Sequence, residues 1–308
     1  MESRTLGEIA EEWRAYKRRL VKPASLAAYG LMLKNHILPC FGECRALSES
    51  GVQEFALRKL DEGLSVKTVK DILIVLKMVM KFGVKNGWMA HCEWEVKYPT
   101  VAEAAAIEIL TIAQHRKILS HIRRNFSCDG LGIYISLTAG LRIGEVCGLR
   151  WADIDTERGV ICVRRTLERI PAEGTEGRRT RVVEGPPKTA SSRREIPMSQ
   201  ELMKMTRHLK KVMNDDFFVI SNSERPTEPR AYRNHYYRLL ERLGIPRIKY
   251  HSLRHSFATR CIECNCDYKT VSVLLGHSNI STTLNTYVHP DMEQKKRCIF
   301  KMVKRLGE

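Results

Sequence analysis

Residues 274–289 read LLGHSNISTTLNTYVH. An apolar run closes on Gly276, the residue type that ends helices in the left-handed conformation, so His277 stands at the mouth of a helix and Tyr287 follows a short polar one. Alone, a tyrosine there is an ordinary packing residue with a satisfied hydroxyl. Its reading depends on what earlier parts of the chain bring to it.

Three stretches bear on that. In YHSLRHSFATRC (250–261) His251 and Arg254 are three apart in a helical segment and share a face, where they can hold two oxygens of one phosphate; His255, one position round, is expected to pack elsewhere. In EGPPKTASSRREIPM (184–198) a strand, a turn through Thr189–Ser192 and a return strand put Lys188 at a hairpin edge, able to reach into a groove. In TAGLRIGEVCGLRW (138–151) Gly140 ends one helix and Arg142 starts the next, where its forked donors can meet an anion beside open backbone N–H groups. Singly, each has a plain alternative: a buried histidine, a solvated lysine that discourages edge pairing, a surface arginine.

The chain of 308 residues is long enough for two domains of ordinary size. With 43% hydrophobic and 28% charged residues it has the composition of a packed globular protein. Its formal charge of +17 attracts polyanions, nucleic acid foremost, and most of the surplus lies beyond residue 100, where 36 Lys and Arg face 23 Asp and Glu. Ten cysteines follow an opening without an apolar signal core, so reduced thiols in a cytosol are expected. The most apolar window, DILIVLKMVMKFGV (71–84), is broken by Lys77 and Lys81 and is too short to span a bilayer. Cys261, Cys264 and Cys266 give C-x-x-C-x-C without a second ligand pair at zinc-finger spacing, and no metal is expected.

Thr5 and Glu8 have capping-box spacing ahead of Leu6, Ile9, Trp13 and Tyr16 on one face. A second helix opens at Pro23 and ends in HILPCFG; a third runs from Ser48 and a fourth from Ser65 to Asn86–Gly87. Residues 1–92 thus form an all-helical bundle. From 93 to 110 the helical period is lost and Pro99 intervenes, as in an extended linker. In residues 111–308, helices near 112–123 and 131–139 precede strand-like GVICVRRTLERI (159–170) and TRVVEGPPKT (180–189), and helices return from Met198. The fold class is α-rich, mixed α+β: a helical bundle, then a mostly helical domain with a small antiparallel sheet.

Taken together and in this order, Arg142, Lys188, His251, Arg254, His277 and Tyr287 resemble the catalytic set of the tyrosine recombinase (phage integrase) family. The resemblance covers nearly the whole chain, with residues 1 to about 92, including SLAAYGLMLKNHILPCFG (25–42), similar to the family's core-binding domain and about 108–308 similar to its catalytic domain. It implies site-specific cleavage and rejoining of double-stranded DNA, with Tyr287 the nucleophile that forms a 3′-phosphotyrosine and Arg142, Arg254 and His277 stabilising the phosphorane-like transition state. By the same resemblance His251 is the acceptor of the phenol proton and Lys188 the acid at the leaving 5′-oxygen, with no cofactor because the bond energy is conserved. A phenol of ordinary pKa, about 10, must lose its proton in the attack or have that value lowered by nearby cations.

The charged stretch from Thr166 to Lys188 is longer than in compact relatives and resembles integrases of conjugative transposons, which implies integration and excision of a mobile element. Many of those carry an amino-terminal domain for accessory DNA arms; this chain starts at the core-binding helix. The tail HPDMEQKKRCIFKMVKRLGE, with Ile299, Met302, Val303 and Leu306 on one side, reads as a terminal helix. The family implies that it packs on a neighbouring copy in a tetramer on DNA, a helix capping its own domain being the alternative. An accessory directionality factor, no membrane, and a cytoplasmic, nucleoid-associated place in a bacterium complete what the resemblance implies. A type IB topoisomerase, a chromosome-dimer resolvase and a non-catalytic DNA-binding regulator are the rival readings. The last has no need of Lys188 or Tyr287.

Overall fold

The computed structural model describes residues 3–99, 108–171, 180–187, 190–287 and 292–307. Its contacts divide into two compact units, one of residues 1–104 with 170–181 and the other of 105–169 with 182–308. Helices dominate both.

The first unit is built from α1 (Leu6–Arg18), α2 (Pro23–Met32), α3 (Leu38–Phe41), α4 (Glu49–Asp61) and α5 (Val66–Lys85). The capping box forms as the sequence dictates: Thr5 accepts from the Glu8 N–H, and the Glu8 carboxylate takes the Thr5 N–H at 2.8 Å. Ser48 and Ser65 cap α4 and α5 by their hydroxyls alone, which accept from the Gly51 and Thr68 N–H groups. One face of each long helix is apolar, so Leu6, Ile9, Trp13, Val52, Phe55, Ile72, Leu76 and Val79 close into one core. Between α2 and α3 the chain widens into a π-turn over Leu33–Ile37, a feature not evident from periodicity. Pro39 lacks the N–H that would continue the narrower ladder.

The segment expected to be linker from residue 93 begins as part of this unit. Trp94, Val96 and Tyr98 alternate onto the helical core. Gln53 binds both the N–H and the C=O of Lys97 (2.8 and 3.0 Å), and Glu49 takes the Glu95 N–H at 3.0 Å. Polar side chains of α4 thus satisfy backbone groups that a neighbouring strand would otherwise pair.

Further along the chain α6 (Ile112–Arg124), α7 (Cys128–Ala139) and α8 (Ile143–Cys147) precede strands β1 (Ile154–Asp155), β2 (Val160–Val163), β3 (Thr166–Pro171), β4 (Thr180–Gly185) and β5 (Arg194–Pro197), all of the second unit except residues 170–171 of β3 and 180–181 of β4. These are followed by α9 (Gln200–Val212), α10 (Pro229–Arg242), α11 (His251–Glu263), α12 (Tyr268–Leu275), α13 (Ser281–Tyr287) and α14 (Met292–Leu306). Helix α7 is buried almost all round, which its run LGIYISLTA permits, and forms the axis of the core with Trp151, Tyr232, Tyr236 and Leu253. The small sheet is antiparallel in the order β1-β2-β5, and its register stacks Ile154, Ile161 and Ile196 on the buried face.

One expectation is corrected here. Residues 184–198 are not a hairpin: β4 pairs with β3, whereas β5 pairs with β2. GVICVRRTLERI likewise splits between the two sheets at Arg164–Arg165. Charged residues at that break sit outside the alternation, and Arg165 reaches the buried carboxylate of Asp153 at 2.6 Å.

Gly140 ends α7 at φ +67°, and a methyl group there would lie 2.5 Å from a Phe257 ring carbon. Gly63, at φ +88°, has nothing within 4 Å. Gly140→Ala should therefore lose about 2–4 kcal/mol in denaturant unfolding, and Gly63→Ala only the backbone cost of about 1–2 kcal/mol.

Candidate active site

Five of the six sequence-selected residues lie on described parts of the second unit; Lys188 lies outside the described residues. Arg254, on the first turn of α11, is 2% exposed. Its guanidinium donates to the carbonyl of Gly140 at 2.8 Å and to that of Leu275, the terminal acceptors of α7 and α12. Both helices end in left-handed glycines, Gly140 and Gly276, so their last carbonyls turn toward one point, and the helix dipoles favour a cation there.

Arg142 caps α8, and the carboxylate of Glu145 takes both its N–H (2.9 Å) and its Nη1 (2.8 Å). Arg142 keeps a side-chain exposure of 35%, whereas Glu145 keeps 3%. Arg142, Glu145, Ser192, Gly276 and His277 line part of an open cleft of about 330 Å³. The Nδ1 of His277 is 2.8 Å from the hydroxyl of the buried Thr283. Tyr287, the last residue of α13, lies half-buried against Ala258, Val271 and Leu275, and its hydroxyl is 2.6 Å from Nδ1 of His255. The rings of His255 and His251 meet edge to face, 4.6 Å apart. A phenol, two imidazoles and two guanidinium groups are thereby gathered from α8, α11 and α13, with a third imidazole from the turn after α12.

Residues 108–294 match the phage integrase family, and residues 5–45 match the phage integrase N-terminal SAM-like domain. The chain belongs to the phage integrase family. A relative described as tyrosine recombinase XerC-like, from Caldanaerobacter subterraneus subsp. tengcongensis, is 28% identical over 96% of this chain and 82% of its own. The transposase from transposon Tn916 of Enterococcus faecalis is 25% identical over 79% of this chain and 64% of its own. Among solved structures, the Tn1549 transposon integrase in complex with a circular intermediate DNA aligns with a TM-score of 0.79 at 24% identity, covering 97% of this chain and all of that one. A lambda integrase dimer bound to a COC′ core site aligns at 0.63 and 16%, covering 94% and 80%. This integrase is thus an enzyme of the tyrosine recombinase class, and site-specific recombination is the activity it shares with these relatives.

One part of the integrase site differs from the sequence reading. His255 does not pack elsewhere: it is the hydrogen-bond partner of Tyr287. One helical position from the His251–Arg254 face still allows contact, because α13 lies beside α11 rather than beyond it. Of the two courses open to the Tyr287 phenol, loss of its proton in the attack is the one its pKa favours. Burial raises it, and the charges of Arg254 and then Arg142 only partly offset this, so in the DNA-free chain the phenol keeps its proton.

Glu145 and Arg194 were not among the expected residues. Arg194 donates to both oxygens of Glu145, at 3.1 and 3.0 Å. A Glu three residues after the cap in RIGE is the capping-box signal that would have found the first; one of two adjacent arginines in SSRREIP carries no such mark for the second.

Burial is the leading cause that pushes His277 down to about 4, followed by the charges of Arg254, Arg142 and Arg194. His251, which keeps an exposed face, is pushed down to about 4 by burial of the rest of its ring first, then by His255, Arg254 and Arg142. Both imidazoles are neutral at pH 7. Proton NMR of the DNA-free protein should give ring titration midpoints near 4 for both. Because the unfolded chain takes up these protons first, the melting temperature should fall as pH drops from about 6.5 toward 4.

Proposed function

We propose that this integrase cuts and rejoins double-stranded DNA through Tyr287, in the integration and excision of a mobile element. The observation that carries the catalytic reading is the grouping of the Tyr287 phenol with His255, His251, Arg254 and Arg142 in one unit of the protein.

The phenolic oxygen attacks the scissile phosphorus, the bond from phosphorus to the 5′-oxygen breaks, and the DNA is left as a 3′-phosphotyrosine with a free 5′-hydroxyl. No water or nucleotide enters, and reversal by another 5′-hydroxyl reseals the strand. Arg142 and Arg254, the latter with its pKa lowered to about 9 by burial yet still charged at pH 7, set positive charge beside the non-bridging oxygens, and His277 adds a hydrogen bond. The phenol proton leaves toward the imidazole pair, of which His255 touches the hydroxyl and His251 touches His255. As neutral bases at pH 7 they are in the form that accepts it. Lys188 delivers a proton to the departing 5′-oxygen.

The tail supports a reading of assembly. On α14 Met292, Ile299, Phe300, Met302 and Leu306 are exposed, five large apolar side chains on one amphipathic helix. We propose that they pack on a neighbouring copy in a homotetramer on DNA, assisted in direction by an accessory factor. The kinship with the Tn916 transposase supports the mobile-element role, and the 28% identity to the XerC-like recombinase keeps chromosome-dimer resolution as the second reading. No described helix is long and apolar enough to cross a membrane.

A nicked suicide duplex made from the DNA flanking the gene tests the chemistry. Wild-type protein should accumulate a covalent protein–DNA adduct, while Tyr287→Phe should bind the duplex and give none; an adduct at wild-type level from the Phe variant refutes the assignment. His255→Gln should slow adduct formation by roughly 10²-fold, and an unchanged rate would leave His251 as the sole proton acceptor. Affinity should fall about 10³-fold or more between 50 and 200 mM salt, as for six or more neutralised phosphates.

A further inference from the structure

We propose that Arg194 is a positioning residue for strand cleavage, fixing the Arg142 guanidinium and the His277 turn in one arrangement by holding Glu145 and the end of α12 at once.

Four of its five N–H donors are engaged within the protein. Nε donates to the Leu274 carbonyl at 2.6 Å, Nη1 to the Ser192 carbonyl at 3.0 Å and to Glu145 at 3.1 Å, and Nη2 to the other Glu145 oxygen at 3.0 Å. The side chain is 4% exposed. Arg194 is therefore committed inward, unlike the 35%-exposed Arg142, and is not arranged to bind DNA phosphate.

Its partners define what it controls. Leu274 lies in the last turn of α12, and a methyl group on Gly276 would stand 3.2 Å from Cδ and Nη1 of Arg194, so the turn presenting His277 rests directly on this side chain. Glu145 in turn grips the N–H and Nη1 of Arg142. The connected path runs from the α12 carbonyl through Arg194 and Glu145 to Arg142. With both carboxylate oxygens engaged by Arg194, Arg142 meets Glu145 through one terminal nitrogen and keeps its outer edge toward the cleft. Without Arg194 the carboxylate would draw Arg142 into a two-point pair and away from a phosphate. Lysine cannot substitute, because one ammonium does not span a carboxylate fork and two backbone carbonyls.

The electrostatics point the same way. Glu145 faces Arg142 at its own helix cap, Arg194 from β5, Arg254 and His251 from α11, and His277 across the cleft. Burial raises its pKa, and Arg194 is the first of the groups that bring it below the ordinary value, ahead of Arg142. Removing Arg194 lets Glu145 take up a proton at a higher pH, which loosens Arg142 as the solution is acidified.

The inference rests on the cleavage reading above and is tested with it. Single-turnover adduct formation on the nicked duplex is measured from pH 5.5 to 8.5 for wild type, Arg194→Lys, Arg194→Met, Glu145→Gln and the double variant Arg194→Met/Glu145→Gln, alongside DNA affinity and melting temperature. Both Arg194 variants should bind DNA within about threefold of wild type yet form adduct about 100-fold more slowly at pH 7. The acidic limb of the Arg194→Met profile should move to higher pH, and that displacement should vanish in the double variant. The double variant leaves no buried unpaired charge, so it decides the matter if Arg194→Met fails to fold. Wild-type rates in Arg194→Met or in the double variant, or a slowed Arg194→Met with an undisplaced profile, overturn the inference alone. A wild type that makes no adduct overturns the cleavage reading and this inference with it.

Discussion

Three guanidinium groups, those of Arg142, Arg194 and Arg254, share the neighbourhood of one buried carboxylate, Glu145. That imbalance is the constraint around which the second unit is organised. Buried like charges repel strongly, and each must be repaid by acceptors fixed in place. The fold supplies them from backbone: Gly140 and Leu275 for Arg254, Leu274 and Ser192 for Arg194. A surplus of positive charge is left facing the cleft, where a phosphate would complete the balance. Burial first, and then the same surplus, keeps His277 and His251 uncharged, since an imidazolium would add to it.

Much of the fold was legible because its signals are local. Thr5 with Glu8, Ser48, Ser65 and the left-handed glycines at 140 and 276 each mark a helix end by chemistry that operates within four residues. Sheet pairing is different. Whether β5 pairs with β4 or β2 depends on residues more than thirty apart in sequence, and the turn-like TASS between strands suggested the nearer partner. The π-turn at Leu33–Ile37 was equally hidden, although Pro39 accounts for it once seen.

The site divides in the same manner. Arg142, His251, Arg254, His277 and Tyr287 stood out because their surrounding motifs resemble a family, and the structure gathers them in one unit. His255 was misassigned because a helical face was judged from α11 alone, without the place of α13 against it. Arg194 escaped notice because its importance lies in what it touches. Nothing in its own sequence distinguishes it from Arg193, yet β-strand alternation leaves Arg194 with a 4% exposed side chain.

The seat of Arg254 bears on how substitutions in such a site are understood. Its guanidinium closes two helices whose final carbonyls have it as a common donor, so taking it away strands both acceptors in an apolar interior. On the proposed cleavage reading, scaffold and reagent are the same atoms there. An inactive Arg254 variant would therefore report the collapse of a junction between α7 and α12 no less than a missing contact to DNA.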